Sequence, residues 1–193
     1  VGRLGKEKNV EFILEVQRRL VKKEPRSKLL IVGDGPDADH FKQMAKDYGI
    51  ENSVIFTGKV KYDEVPKYYT ISNLFITASH TETQGLTVIE AMAASLPALC
   101  INDESFNTTV VNGLNGYLFE DEEECVQKME DIIKSKTLQK ELSRGARTSA
   151  EMHSSKYFAE RVLDVYKKAI NTQSQKFRSR FMDFLKKVKF WEK

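Results

Sequence analysis

NLFITASHTETQGLTVIEAMAASLPALCI, residues 73–101, places an apolar run, a polar loop, an apolar helical pattern and a second apolar run in direct succession. It reads as strand, loop, helix, strand. The first run, NLFITAS (73–79), stops at Ser79. The helical pattern spans about Leu86 to Ala94, and PALCI (97–101) begins at a proline that a helix interior does not tolerate. Short apolar strands joined through a helix are parallel strands, covered on both faces.

The same alternation extends in both directions. Val10, Ile13, Leu14, Val16, Leu20 and Val21 recur at helical period over 10–21, and Pro25 follows where a helix should stop. KLLIVG (28–33) is the next apolar run, and Phe41, Met44, Ala45 and Tyr48 before Gly49 predict another amphipathic helix. VIFTG (54–58) and a short helix near 63–71 lead into the decisive stretch. After it come GYLFE (116–120) and helical patterns at about 121–135, 138–152 and 156–170, the first with Glu122, Glu123 and Glu124 at the positive end of the helix dipole. The fold class is α/β: a parallel sheet with helices on both faces, plus a C-terminal helical tail. We expect residues 1–170 to form one domain and 171–193 a separate tail, hinged at NTQSQ (171–175).

Composition narrows the classes. A 40% hydrophobic and 31% charged chain of 193 residues suits one globular domain with additions, and no apolar run reaches the roughly 20 residues that span a bilayer. Val1 opens directly on VGRLGKEKN, without initiator methionine or signal peptide, which reads as a domain boundary. Cys100 and Cys125 have neither metal-ligand nor CxxC spacing and read as reduced thiols of a cytosolic protein. The net charge of +3 is uneven: residues 172–193 hold seven Lys or Arg against two acids, leaving 24 basic and 26 acidic residues elsewhere. A near-neutral body calls for no nucleic-acid partner.

In an open parallel sheet, ligands bind beyond the carboxyl ends of the strands. There the loop after Ser79 carries Glu82, Gln84 and Gly85, and a helix follows with Glu90 one turn inside. Amides from Gly85 to Thr87 are unpaired donors of a helix start, suited to a phosphate, and glycine at 85 allows close approach. Glu82 and Glu90, eight positions apart, suit sugar hydroxyls on either side of that phosphate. A plainer account, one solvated loop glutamate and one helix-face glutamate, stays open on the residues alone. Arg3 and Lys8, across a glycine-containing turn and the first helical residues, could neutralise a diphosphate, or could be two surface cations near Lys6 and Arg18.

VGRLGKEKN, IVGDGP, VIFTGKV, TETQGLTVIEAMAASLP and VNGLNGYLF, in this order and spacing, resemble the C-terminal domain of family-four retaining glycosyltransferases of GT-B fold, over residues 1 to about 170. The resemblance implies a Rossmann-like, donor-binding half whose partner, an N-terminal acceptor-binding domain, lies outside this chain. It implies that Arg3 and Lys8 hold the donor diphosphate and stabilise it as leaving group, with Gly2 beside them. Glu82 would meet the donor sugar, the amides of Gln84, Gly85 and Leu86 with the Thr87 hydroxyl would hold sugar and phosphate, Glu90 would bind the ribose, and the backbone around Val60 would pair with the base. Similar proteins need no metal or other cofactor; the donor would be UDP-glucose or a close relative. Ser95 stands where such proteins usually have glycine, a departure expected to alter packing slightly.

TETQGLTVIEAMA is also similar to the version of the motif in bacterial enzymes that glucosylate diacylglycerol, which fits the tail. Phe177, Phe181, Phe184, Leu185, Val188 and Trp191 fall at helical intervals among Lys176, Arg178, Arg180, Lys186, Lys187 and Lys189. Such a helix at 176–191 suits an anionic membrane surface, placing the protein in the cytoplasm, peripheral to the inner face of the membrane; packing against the absent domain is the other reading. Two alternatives compete with transfer, a nucleotide-sugar epimerase and a non-catalytic nucleotide-binding module; against a glycosidase, one of the two glutamates lies inside a helix with no sign that both face one open cleft. IVGDGP lacks the third glycine of a dinucleotide fingerprint, and only Asp103, just past PALCI, suggests a phosphoacceptor. His80 alone among the histidines is near the candidate site.

Overall fold

The computed structural model describes residues 1–82, 85–172, 180, 181 and 183. Its elements alternate as the pattern predicts. Helix α1 (Val10–Lys23) precedes β1 (Leu29–Ile31), α2 (Ala38–Asp47) and β2 (Val54–Phe56). Next come α3 (Val65–Thr70), β3 (Phe75–Thr77), α4 (Leu86–Ala93), β4 (Ala98–Ile101) and β5 (Gly116–Phe119). Helices α5 (Glu122–Lys134), α6 (Lys136–Glu151) and α7 (Ser155–Thr172) close the described chain.

All strand pairs are parallel, but the ladders fall into two groups, β1–β2 and β3–β4–β5. Leu29–Ile31 and Phe75–Thr77 both line a narrow pocket of about 70 Å³. The four residues of β4 are all buried, as a central strand covered on both faces requires. Two apolar clusters fill the layers, and α1 serves both: Val16 and Leu20 join Met92, Leu99 and Phe119, while Val10 and Leu14 join Ile31, Phe41 and Val54. Helix α5 is capped by Asp121, whose carboxylate accepts the Glu124 amide at 2.9 Å.

Ser95 ends the turn after α4 with φ at +65°. A glycine there avoids the clash between Cβ and carbonyl that an L side chain suffers. The departure at this position therefore carries a conformational cost rather than only a change in packing.

Val1–Glu151 forms one unit, and the residues from Met152 form another. Within the second, α7 exposes Phe158, Val165, Tyr166 and Ile170. The helix continues through 171 and 172, the first residues of the expected hinge, and 173–175 lie outside the described residues. The amphipathic pattern at 176–191 also lies outside them, except for Arg180, Phe181 and Asp183, which are exposed. Among the described residues no helix is long and apolar enough to cross a membrane.

Candidate functional site

The N-terminal segment reaches the site by lying along the chain that leaves β1. The Gly2 amide donates to the Val32 carbonyl at 2.9 Å and the Leu4 amide to the Asp34 carbonyl at 3.0 Å. Both glycines of IVGDGP are needed for this approach. A Cβ on Gly33 would lie 1.9 Å from the Gly2 carbonyl oxygen, and one on Gly35 would lie 2.2 Å from that of Leu4. These glycines admit a neighbouring backbone, a purpose that the motif alone did not disclose.

Lys8 follows in a 3-10 turn (Lys6–Lys8), held to the end of β3 by the Ser79 hydroxyl, which donates to the Glu7 carbonyl at 3.1 Å. Asn9, left-handed at φ +48°, separates that turn from α1. Lys8 thus precedes the helix rather than lying in its first residues, because asparagine tolerates the conformation that breaks the spiral. The Lys8 ammonium forms an ion pair with the Glu82 carboxylate. Both side chains are largely sheltered, with 28% and 17% exposure.

Two adjoining cavities hold most of the sequence-predicted residues. A cleft of about 710 Å³ is lined by Gly2, Arg3, Val60, Thr87 and Glu90, together with Asp34, Gly35, Lys59, Tyr62 and Val65. The 70 Å³ pocket beside it is lined by Lys8 and Glu82 and shares Gly2, Arg3 and Thr87 with the cleft. Glu82 and Glu90 therefore sit on either side of the Gly2–Arg3 and Thr87 seam. Arg3 is exposed, with no carboxylate partner among the described residues.

Gly85 and Leu86 line neither cavity. Gly85 precedes α4 with φ at +56°, so backbone shape favours glycine, while a Cβ there would make only ordinary contact with the Phe106 ring at 3.4 Å. Helix α4 has no side-chain cap on its first turn. Gln84 lies outside the described residues.

Tyr69 of α3 was not singled out from the sequence, and no local signal marks it, since its role arises where α3 meets α4. Its hydroxyl donates to Glu90 Oε2 at 3.1 Å and lies 3.4 Å from the Thr87 carbonyl. Burial, then the Glu90 charge, pushes the phenol above its usual range. His80 sits 3.7 Å from Asp103 but lines neither cavity. Asp103 accepts the amide and hydroxyl of Ser105, which hold its carboxyl below the usual range. Both cysteines are buried and free, and burial pushes their thiols up, away from reactivity. Among the described residues no cluster of His, Cys, Asp or Glu is placed to hold a metal.

Relatives are found both among curated sequences and among solved structures. An alpha-monoglucosyldiacylglycerol synthase of Acholeplasma laidlawii is 34% identical over 176 residues, 91% of this chain and 44% of its own length. A second, from Streptococcus pneumoniae, is 34% identical over 119 residues, 62% of this chain and 27% of its own. The chain thus spans less than half the length of these curated relatives. Among solved structures, S. aureus TarM in complex with fondaparinux, alpha-GlcNAc-glycerol and UDP superposes with a TM-score of 0.77 at 26% identity, over 86% of this chain and 34% of that one. The C-terminal domain of LpcC from Francisella tularensis shares the fold, with a TM-score of 0.72 at 24% identity over 79% of this chain and 82% of that one. The model for "Glycosyl transferases group 1" matches residues 1–149, which is the whole stretch that builds both cavities, and the chain belongs to that family of GT-B glycosyltransferases.

Proposed function

We propose that this chain is the donor-binding half of a retaining glycosyltransferase that moves glucose from UDP-glucose, or a close relative of it, to diacylglycerol or a membrane glycolipid. The observation that carries the reading is the seam at Gly2, Arg3 and Thr87, with a cation on one side and a carboxylate in each flanking cavity. A diphosphate at the seam would meet Arg3, Lys8 and the start of α4, whose dipole favours negative charge. The base would lie toward Val60 and the ribose toward Glu90. The sugar would lie toward Glu82, with the amides of Gln84, Gly85 and Leu86 and the Thr87 hydroxyl around its phosphate.

Lys8 and Glu82 satisfy each other. Donor binding would exchange that pair for Lys8 with phosphate and Glu82 with sugar hydroxyls, so little charge is left unpaired in either state. As the glycosidic bond breaks, charge builds on the departing diphosphate, and Arg3 and Lys8 are positioned to stabilise it. Two fixed cations fill the electrostatic role of a metal, so none is proposed.

The acceptor would be bound by an N-terminal domain, for which the length of the relatives leaves room. The basic, aromatic segment 176–191 would hold the cytoplasmic enzyme on the anionic inner face of the membrane, at about 1 kcal/mol for each nearby Lys or Arg. The test is transfer by the whole enzyme from UDP-glucose to diacylglycerol in anionic and neutral vesicles, with EDTA present and with or without residues 172–193. The expected product is an α-glucosyl lipid, formed faster on anionic vesicles, with that advantage lost at high salt or without the tail. Interconversion of the donor without any acceptor would instead identify an epimerase. Equal rates with and without the tail would remove the membrane role.

A further inference from the structure

We infer that Tyr69 is a positioning residue, whose hydroxyl holds Glu90 in the orientation that receives the ribose of the donor. The inference rests on the donor-binding reading above. The ring is buried at 4% exposure among core residues and lies tilted against Phe75, with centroids 6.1 Å apart. Core packing, not the cleft, therefore sets where the hydroxyl points. It points at α4: Glu90 Oε2 is at 3.1 Å and the Thr87 carbonyl at 3.4 Å. Thr87 and Glu90 both line the cleft, and Tyr69 does not. One buried group thus touches two cleft residues from behind.

The chemistry fits a restraint on one carboxylate oxygen. A phenol has a single proton to donate, and the shorter contact is to the charged acceptor, where a hydrogen bond is stronger than to a neutral carbonyl. Oε2 is then engaged and Oε1 is left for a ligand hydroxyl. Burial and the Glu90 charge keep the phenol protonated, so the restraint does not lapse over the ordinary pH range. Without it, Glu90 would have to be ordered by the ligand itself, and that ordering weakens binding. A tyrosine present only for its ring would work equally well as phenylalanine, and here the two accounts separate.

The experiment compares UDP with 2′,3′-dideoxy-UDP, which lacks the ribose hydroxyls, by nuclear magnetic resonance titration of the chain and its Tyr69→Phe, Glu90→Gln and doubly substituted variants. Phenylalanine keeps the ring and removes only the oxygen; Tyr68→Phe is the control. The wild-type chain is expected to prefer UDP. Tyr69→Phe should weaken UDP roughly tenfold while leaving the dideoxy nucleotide almost unchanged. The double variant should bind no more weakly than Glu90→Gln, because the hydroxyl acts through that carboxylate. If Tyr69→Phe lowers the melting temperature but keeps the wild-type ratio of the two affinities, Tyr69 is a core residue only and the inference fails. Failure of the donor-binding reading looks different: the wild-type chain itself would not bind UDP or would not distinguish it from the dideoxy form.

Discussion

Alanine at both Arg3 and Lys8 is expected to lower turnover of the whole enzyme by roughly 100-fold or more while the fold persists. Arg3 is exposed and bonded to no carboxylate among the described residues, so its loss removes little that holds the chain together. Lys8 is ion-paired with Glu82, and both are partly sheltered, so its loss should cost stability on the order of 1 kcal/mol. The loss of rate is larger because the two cations face charge that develops only as the diphosphate departs. Circular dichroism and melting would check the fold, and initial rates with saturating UDP-glucose would check the chemistry. A folded double variant with nearly normal turnover would refute the role assigned to the pair.

Gly33→Ala is the second large effect, and it acts without touching any side chain that meets the donor. At φ +131° the new Cβ would be strained, and it would also lie 1.9 Å from the Gly2 carbonyl oxygen. The oxygen is a backbone atom and the Cβ is fixed rigidly to Cα, so relief requires the segment at Gly2 and Arg3 to move away from Val32 and Asp34. The hydrogen bonds that seat it, from Gly2 to Val32 and from Leu4 to Asp34, would stretch or break. We expect destabilisation of about 1–3 kcal/mol and at least a roughly tenfold loss of UDP affinity, since Gly2 and Arg3 form part of the cleft wall. Melting and binding should therefore fall together. Wild-type values of both would show that the segment does not depend on this close passage.

Where a residue's role was set by its neighbours in sequence, it was legible there. The strand, loop and helix of 73–101 follow from apolar periodicity and one proline, and β3, α4 and β4 occupy those positions. The same logic puts Glu82 after β3 and Glu90 on α4, where each lines a cavity, but their roles stayed open on the residues alone. What depended on distant contacts was not legible. That the ladders fall into two groups, β1–β2 and β3–β4–β5, cannot be read from the apolar runs at 28–33 and 73–79. The glycines of IVGDGP fall short of a dinucleotide fingerprint, and only the fold shows that they admit the backbone of residues 2–4. Lys8 was expected in the first residues of a helix, since the pattern of 10–21 does not reveal that Asn9 is left-handed. Tyr69 sits in a helix of six residues, and its hydroxyl acquires a partner only across to α4.

The central claim is that one cleft of this chain binds a nucleotide through Gly2, Arg3, Val60, Thr87 and Glu90, and titration calorimetry of the chain in EDTA tests it most directly. The ligands are UDP, UDP-glucose, GDP and ADP at millimolar concentration, with chemical shifts followed in parallel. The account predicts a uridine-preferring affinity on the order of 4–6 kcal/mol, high micromolar to millimolar, unaffected by removal of divalent metal. Shifts should concentrate at Gly2, Val60, Thr87 and Glu90. No heat and no shift at those residues with millimolar UDP, or binding that appears only when a divalent metal is added, would contradict it.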